Sequence, residues 1–233
     1  MLSSKVLDWD SDFFGLPIAR IIAEDPSATA LENALSTLQS RGTALVYLFL
    51  TTALSSQLKG AEIVNMGGKV LYHKPLTTAP NYHPQIESFP LGDTAPELYE
   101  LALQSGVYSR FKLDTKLPEA AYERLYRTWI EKSVKRILAD ELLVYKVDGK
   151  IAGMLTLAQK GGWGDIGLIA VDTDYRGQKI GHHLLNAAYK YFYDLGITDL
   201  GVETQTQNKG ACQFYEKNGF QVYKSEYLYH VWL

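Results

Sequence analysis

Two short stretches carry residues whose types and spacing could do chemistry. The first is Arg176-Gly177-Gln178-Lys179-Ile180-Gly181, which follows the apolar run Gly167 to Val171 and opens a helical pattern. A helix start exposes backbone N–H groups without partners and a partial positive charge, and together these favour an anion such as phosphate. Gly177 and Gly181 lack a Cβ, so the backbone is expected to approach a bulky diphosphate closely. A plain strand–turn–helix crossover is the competing reading of these residues alone. Lys179 stands where a close relative of the pattern would have glycine, but it keeps its backbone N–H, so no donor is expected to be lost.

The second stretch is Asn208 to Phe220, NKGACQFYEKNGF. Asn208 is a good helix cap, Asn218-Gly219 a good helix stop, and Ala211 and Tyr215 share a face by their spacing of four. Taken alone, Tyr215 reads as a packing tyrosine as readily as a catalytic one. Cys212 reads as a small packing residue rather than an acyl-carrying nucleophile. His182 and His183 fall in the first turn of the preceding helix with no metal partner in sight. Glu203 and Asp165 are the carboxylates that could serve an incoming amine through water, and each also reads as a structural or surface residue.

Elements must position these stretches. The spacing predicts a strand over Phe13 to Ala23, a helix over Ala28 to Ser40 from leucines 31, 35 and 38, and a buried strand over Ala44 to Thr51. Ser55 and Ser56 suggest a brief helix ending at Gly60, and Gly68 to Lys74 a further strand. Pro75, Pro80, Pro84 and Pro90 punctuate the next segment, which places a boundary there: an amino-terminal α/β domain over 1–88 and a second domain over 89–233. Beyond it come a helix over Asp93 to Leu103, a loop over Ser105 to Leu117 and an amphipathic helix over Pro118 to Leu138. Leu142 to Val147 and Ile151 to Leu157 flank Asp148-Gly149, a hairpin signal. Strand Asp165 to Val171, helix Gln178 to Tyr193, strand Leu200 to Thr206, helix Lys209 to Lys217 and one or two strands over Phe220 to Leu233 complete a mixed α/β sheet with helices on both faces. QLKGAEIVNMGGKVLYHKPL faintly echoes FYEKNGFQVYKSEYLYHVWL, as if the first half were a shrunken copy of part of the second.

Composition bounds the function. The chain has 233 residues, 46% hydrophobic and 21% charged, which suffices for a sizeable core. A net charge of -3 gives no electrostatic case for nucleic acid. The single cysteine excludes an intrachain disulfide and a cysteine-cluster metal site, so no metal is expected. The longest apolar run, Ala44 to Leu50, is far short of the roughly 20 residues that span a bilayer. Acidic residues stand where a leader would need its apolar stretch, so the expected location is the cytoplasm. Sixteen tyrosines suggest a pocket or interface that mixes stacking with hydrogen bonds.

Taken in order, the two stretches make the chain resemble the GCN5-related N-acetyltransferase (GNAT) family from about residue 93 onward. Val171 to Gly181 is similar to its arginine-or-glutamine, glycine, glycine-or-alanine signature, with Lys179 in place of the middle glycine, and Asn208 to Phe220 is similar to its later segment. The resemblance implies the acyl-CoA N-acyltransferase fold and an acetyl-CoA site between two diverging strands. It assigns the pantetheine arm to the backbone of Leu168, Ile169, Ala170 and Val171, and the pyrophosphate to the amides of Arg176, Gly177, Gln178, Lys179, Ile180 and Gly181. It makes Asn208 a CoA contact and Tyr215 the general acid for the departing thiolate, whose conjugate acid has a pKa near 8.5 against about 10 for tyrosine.

A narrower resemblance, through Asp10 to Gly15, Ser109-Arg110-Phe111, Tyr122 and Trp129-Ile130-Glu131, is to bacterial TDP-fucosamine acetyltransferases. It implies a TDP-linked amino sugar as acceptor. Arg110 and Lys112 would then meet a diphosphate, Tyr108 or Phe111 would pack on a base or sugar, and Glu203 would lie on the acceptor side; a solvated loop is the competing reading. Tyr82 and His83 in the linker stay open. Two other functions stay open as well: acetylation of a protein or small-molecule amine, and CoA binding without catalysis. A homodimer sharing a sheet edge is a further arrangement the sequence allows.

Overall fold

The computed structural model describes residues 1–55, 57–78, 80–118 and 120–233. The chain runs β1 (Leu2–Val6), α1 (Asp8–Phe14), β2 (Ile18–Ala23), α2 (Ala28–Gln39), β3 (Leu45–Leu50), β4 (Glu62–Pro75), β5 (Ile86–Ser88), α3 (Pro96–Ser105), α4 (Arg110–Leu113) and α5 (Ala121–Val134). It continues through β6 (Glu141–Val147), β7 (Lys150–Lys160), β8 (Trp163–Val171), a 3₁₀ turn (Thr173–Tyr175), α6 (Ile180–Asp194), β9 (Asp199–Gln205), α7 (Lys209–Lys217) and β10 (Gln221–Trp232). All strands join one ten-stranded sheet in the order β1-β2-β3-β10-β4-β9-β8-β7-β6-β5.

Local chemistry explains most elements. Ser27 caps α2 by accepting from the Ala30 N–H at 3.2 Å, and Leu31, Leu35 and Leu38 then bury one stripe. Strand β3 is apolar throughout because both of its faces are covered: Val46 and Leu48 pack under α2, while Leu45, Tyr47 and Phe49 join the core on the opposite face. Asp148 and Gly149, at φ 49° and 80°, make the expected tight turn of the β6–β7 hairpin. Helices α2, α6 and α7 cover one face of the sheet, and α1, α3, α4 and α5 the other.

Several expectations change. The segment expected as one strand from Phe13 is helix to Phe14, stopped by Gly15 in the left-handed conformation at φ 71°, and only then strand. Ahead of it, the exposed edge strand β1 was not anticipated, because it buries almost nothing and shows no core pattern. The loop expected over Ser105 to Leu117 contains the single helical turn α4. Helix α5 ends at Val134, well before Leu138, and Arg136 at φ 56° turns the chain away. Of the brief helix expected at 55–60, Ser56 lies outside the described residues, and Lys59-Gly60 form a turn. The carboxyl-terminal segment is one long strand, with irregular register against β4 between Val222 and Lys224 and between Tyr227 and Tyr229.

The faint echo corresponds to a topological repeat. Strand β1 is antiparallel to β2, which is parallel to β3 across helix α2; likewise β7 is antiparallel to β8, which is parallel to β9 across α6. Each unit then supplies one long strand, and the two are exchanged. Strand β4 of the first unit pairs with β9 of the second, β10 of the second pairs with β3 of the first, and β4 and β10 pair with each other. The division expected at residues 88 and 89 falls between β5 and α3, and the sheet itself runs on across it.

One difference between the units sets the function. In the first, β2 and β3 stay paired from Ile18 and Leu45 to Ala23 and Leu50. In the second, β8 and β9 pair only at Gly164–Leu200, Asp165–Gly201 and Ile166–Val202, after which they part. Among the described residues no helix is long and apolar enough to cross a membrane.

The exchange predicts that residues 89–233 expressed alone, without β4 between β9 and β10, show no cooperative unfolding by circular dichroism. Co-expression with 1–88 as a separate chain restores a cooperative complex that co-purifies. A cooperatively folded monomer of 89–233 would contradict the dependence on β4.

Candidate active site

The opening between β8 and β9 starts just past Ile166 and Val202. An irregular register between Leu155 and Leu157 of β7 leaves Thr156 opposite Gly167 and Leu168. The Leu168 N–H donates to the Thr156 hydroxyl at 2.7 Å, and the Asp172 N–H donates to the Ala152 carbonyl at 2.9 Å. Strand alternation therefore turns the backbone of Leu168 and Ala170 toward β7, and that of Ile169 and Val171 toward the opening. Of the four residues expected to hold a pantetheine arm, Ile169 and Val171 are the two whose amides face the gap. The Val171 carbonyl is occupied, because it accepts from Arg176 Nε at 3.1 Å.

The turn after β8 has a specific construction. The Arg176 side chain folds back on Val171 and also donates to Gln104 Oε1 of α3 at 3.3 Å, while Gln104 Nε2 donates to Asp172 at 3.2 Å. Arg176 thus fixes the turn with its side chain, and its own amide already points at the Thr173 carbonyl at 3.5 Å. From Gly177 through His182 no backbone amide has an acceptor among the described residues; the first helical bond runs from the His183 N–H to the Lys179 carbonyl at 3.1 Å. Consecutive unpartnered amides at a helix start form an anion cradle.

The two glycines have separate reasons. Gly177 sits at φ 81° with open space around it, so conformation demands it. Gly181 is required by packing: a Cβ there would lie 3.0 Å from the Phe214 ring, which presses α7 against the start of α6. Lys179 adopts φ 62° and ψ 9°, the left-handed region, at a cost of about 1–2 kcal/mol for a residue with a Cβ. That conformation explains why glycine suits the position better, and the lysine keeps its amide but holds it under strain. The Ile180 side chain is buried against Gly153.

Helix α7 begins as expected, with the Asn208 side chain accepting from the Ala211 N–H at 3.1 Å. Tyr215 is buried, its ring centroid 5.7 Å from that of Tyr72, which pairs across β4–β9 with Val202, the last β9 residue joined to β8. Tyr215 therefore stands beside the point where the strands part. The Tyr72 hydroxyl is committed to Glu216 at 2.7 Å, whereas that of Tyr215 has no such partner among the described residues. Burial holds the Tyr215 phenol above its ordinary value of 10.0, reinforced by Cys212, so it remains protonated at neutral pH.

The remaining candidates separate clearly. Glu203 lies one residue past Val202, half-exposed on the face opposite α6 and α7, paired with Lys69 at 2.7 Å. Asp165 lies where β8 and β9 are still joined and pairs with Lys160. Phe111 is buried and stacked on Phe14 at 5.5 Å. Tyr108 is exposed, Lys112 lies over the Tyr122 ring, and the Arg110 guanidinium lies 4.2 Å from the centre of the Tyr47 ring. His182 binds Asn218 at 2.7 Å, and the His183 ring lies tilted against His83 with centroids 4.1 Å apart, so both fasten α6 to its neighbours. No group of three or more histidine, cysteine or carboxylate side chains among the described residues could hold a metal. Thr156, Gln104, Phe214 and Lys69 escaped the sequence reading. Only Thr156, the one hydroxyl in the run IAGMLTLA, left a trace there.

Beside the opening, Thr51, Asn65, Gly68, Thr206, Ser225 and Tyr227 line a cavity of about 490 Å³ at the junction of the two units.

Comparison with known proteins agrees with this geometry. The profile described as "Acetyltransferase (GNAT) family" matches residues 98–220, more than half of the chain. The spore coat polysaccharide biosynthesis protein SpsD of Bacillus subtilis (strain 168) is 28% identical over 141 residues, covering 60% of this chain and 48% of that protein. N-alpha-acetyltransferase 30 of Schizosaccharomyces pombe is 35% identical over 68 residues, covering 29% and 45%. The chain thus spans about half the length of the curated relatives it matches. Among solved structures, a GCN5-related N-acetyltransferase from Sphaerobacter thermophilus superposes with a TM-score of 0.55 at 16% identity, covering 98% of this chain and 76% of that one. A tandem GNAT protein from the clavulanic acid biosynthesis pathway superposes with a TM-score of 0.54 at 15% identity, covering 93% and 75%. At such identities the superpositions show the fold alone. The matched profile and the parted strands, with the amide cradle and α7 beside them, lie in the same stretch of sequence: the chain belongs to the GNAT family of acetyltransferases.

Proposed function

We propose that the protein transfers an acetyl group from acetyl-CoA directly to the amine of a TDP-linked amino sugar. The observation that carries this reading is the parting of β8 from β9 beside six consecutive unpartnered amides. When bound, acetyl-CoA supplies an activated thioester. The amides of Ile169 and Val171 present donors along the gap, where a pantetheine arm and the thioester carbonyl need them. The amides of Gly177 to His182 hold the pyrophosphate, and Asn208 lies on the cofactor side at the start of α7. Tyr215 holds a proton for the departing thiolate, and its burial keeps that proton available. Glu203 reaches the opposite face of the opening and accepts the amine proton through water; its position past Val202 favours it over Asp165.

SpsD's role in spore coat polysaccharide biosynthesis supports a sugar acceptor, with Arg110, Glu203 and the exposed Tyr108 on the acceptor side. A peptide amine is the second reading, supported by the match to N-alpha-acetyltransferase 30.

A panel of TDP-amino sugars, amino acids and peptides offered with acetyl-CoA, followed by thiol release, is expected to show turnover on a TDP-amino sugar. Turnover on peptides alone would replace the sugar by the peptide reading. Tyr215→Phe is expected to lower kcat about 100-fold while leaving the KM for acetyl-CoA within about twofold. Because the Tyr215 pKa is raised, its acid form persists as pH rises, so no loss of kcat from this group should occur below about pH 10. An alkaline limb centred near pH 8 that disappears in Tyr215→Phe would contradict the assignment. Gly181→Ala, which drives a methyl into Phe214, should raise the KM for acetyl-CoA severalfold with kcat at saturation largely kept.

A further inference from the structure

The first unit has no parted strands, yet it meets the second at a buried polar cluster that acyl transfer does not use. Arg110 lies between three aromatic rings, its guanidinium carbon 4.2 Å from the centre of Tyr47, 4.5 Å from Phe111 and 5.7 Å from Phe49. Behind them the His230 ring stacks on Tyr47 at 4.8 Å. Tyr47 and His230 are fully buried and Ser109 nearly so. Among the described residues, four of the buried polar atoms here have no hydrogen-bond partner: Tyr47 Oη, Ser109 Oγ, Arg110 Nε and His230 Nε2.

Two of the nearby carboxylates are otherwise engaged. Asp114 accepts from His230 Nδ1 at 2.6 Å, from Trp232 Nε1 at 3.2 Å and from the Lys116 N–H at 3.0 Å. Glu203 is paired with Lys69 at 2.7 Å. Asp10, half-buried on α1, is near enough for its charge to favour the Arg110 cation, but forms no ion pair with it among the described residues. A desolvated guanidinium with no carboxylate in direct contact is costly, and the cation–π contacts recover only part of that cost while holding the group rigid. A rigid cation with unpartnered hydroxyls around it is the construction of an anion receptor.

We infer that Arg110, with the hydroxyls of Tyr47 and Ser109, receives a phosphate or carboxylate group that the acceptor carries away from its amine. This deepens the proposed acetyl transfer and rests on it for the identity of the ligand as the acceptor. The face shared by Glu203, Lys69 and Phe49 connects the two points: Lys69 Nζ lies 2.7 Å from Glu203 and 5.7 Å from the centre of the Phe49 ring, and the Arg110 guanidinium lies 5.7 Å from the centre of the same ring. From β9 across β4 and β10 to β3 is three strand spacings, about 14 Å, shortened by side chains that reach toward each other. An acceptor held at both ends is therefore longer than a simple amine, and the diphosphate of a nucleotide-linked sugar fits that reach. The first unit, lacking a cofactor gap of its own, furnishes Tyr47 and Phe49 to the second unit's substrate.

Calorimetry on protein saturated with CoA, so that the amide cradle is filled, tests the receptor with TDP and, separately, succinate as probes. The expected result is TDP binding that weakens at least about tenfold in Arg110→Gln and severalfold in Tyr47→Phe and Ser109→Ala, each of which removes a single oxygen. The same losses with succinate in place of TDP would support the receptor with a carboxylate as its anion. No binding of either probe, or equal affinity in wild type and all variants, would overturn it. Should Arg110→Gln not fold, the hydroxyl variants and Arg110→Lys decide the question. TDP binding that depends on Arg110, with no thiol release on any amine, would overturn the acetyl-transfer reading and leave the receptor standing.

Discussion

Strand β10 lies between β3 and β4, antiparallel to both, and the rest of the sheet depends on those two ladders. Without β10, the first unit ends in an unpaired β3; without β4, the second ends in an unpaired β9. Exposed edges of that length, apolar on both faces in β3, would invite aggregation, and the exchange removes both at once. It also makes the two units one folding problem, because the chain's last strand completes the sheet of its first unit. Pairing between segments so distant in sequence closes the longest loop in the protein.

The same exchange explains how one unit could lose its gap while the other kept it. Parting two parallel strands leaves backbone groups without partners, which is tolerated only where water or a ligand reaches them. In the second unit, several features hold that arrangement. Thr156 lends its hydroxyl to the Leu168 amide, Arg176 and Gln104 fasten the turn, and Phe214 wedges α7 against Gly181. The first unit has none of these, and β2 and β3 close along their whole length. Its contribution lies instead on the opposite face, where the rings of Tyr47 and Phe49 surround Arg110 and the cluster anchored by Asp114 and His230 supports them.

Much of the second unit was legible in the sequence. Gly177, the Asn208 cap and the Asp148-Gly149 turn, like the leucine stripe of α2 in the first unit, act through local geometry, and local geometry is what residue type and spacing encode. Other features were illegible for a corresponding reason. Strand β1 gains its pairing from β2 but buries too little to show a period. Gly181 owes its identity to Phe214, a contact between residues 33 positions apart that no spacing rule anticipates. Phe111, which shares its segment with Arg110, is buried against Phe14 and Tyr47, contacts with distant elements that the segment's own pattern does not show.

The sequence alone thus determined most of the helices and strands of the second unit and the glycine turn that opens α6, since each depends on interactions within a few residues. Only the tertiary structure decided which strands lie side by side, and with them the exchange of β4 and β10, the parting of β8 from β9 and the isolation of the Arg110 guanidinium. Those features come from pairing and packing between distant segments. A strand's pattern states that it will be buried, and says nothing about which strand will lie beside it.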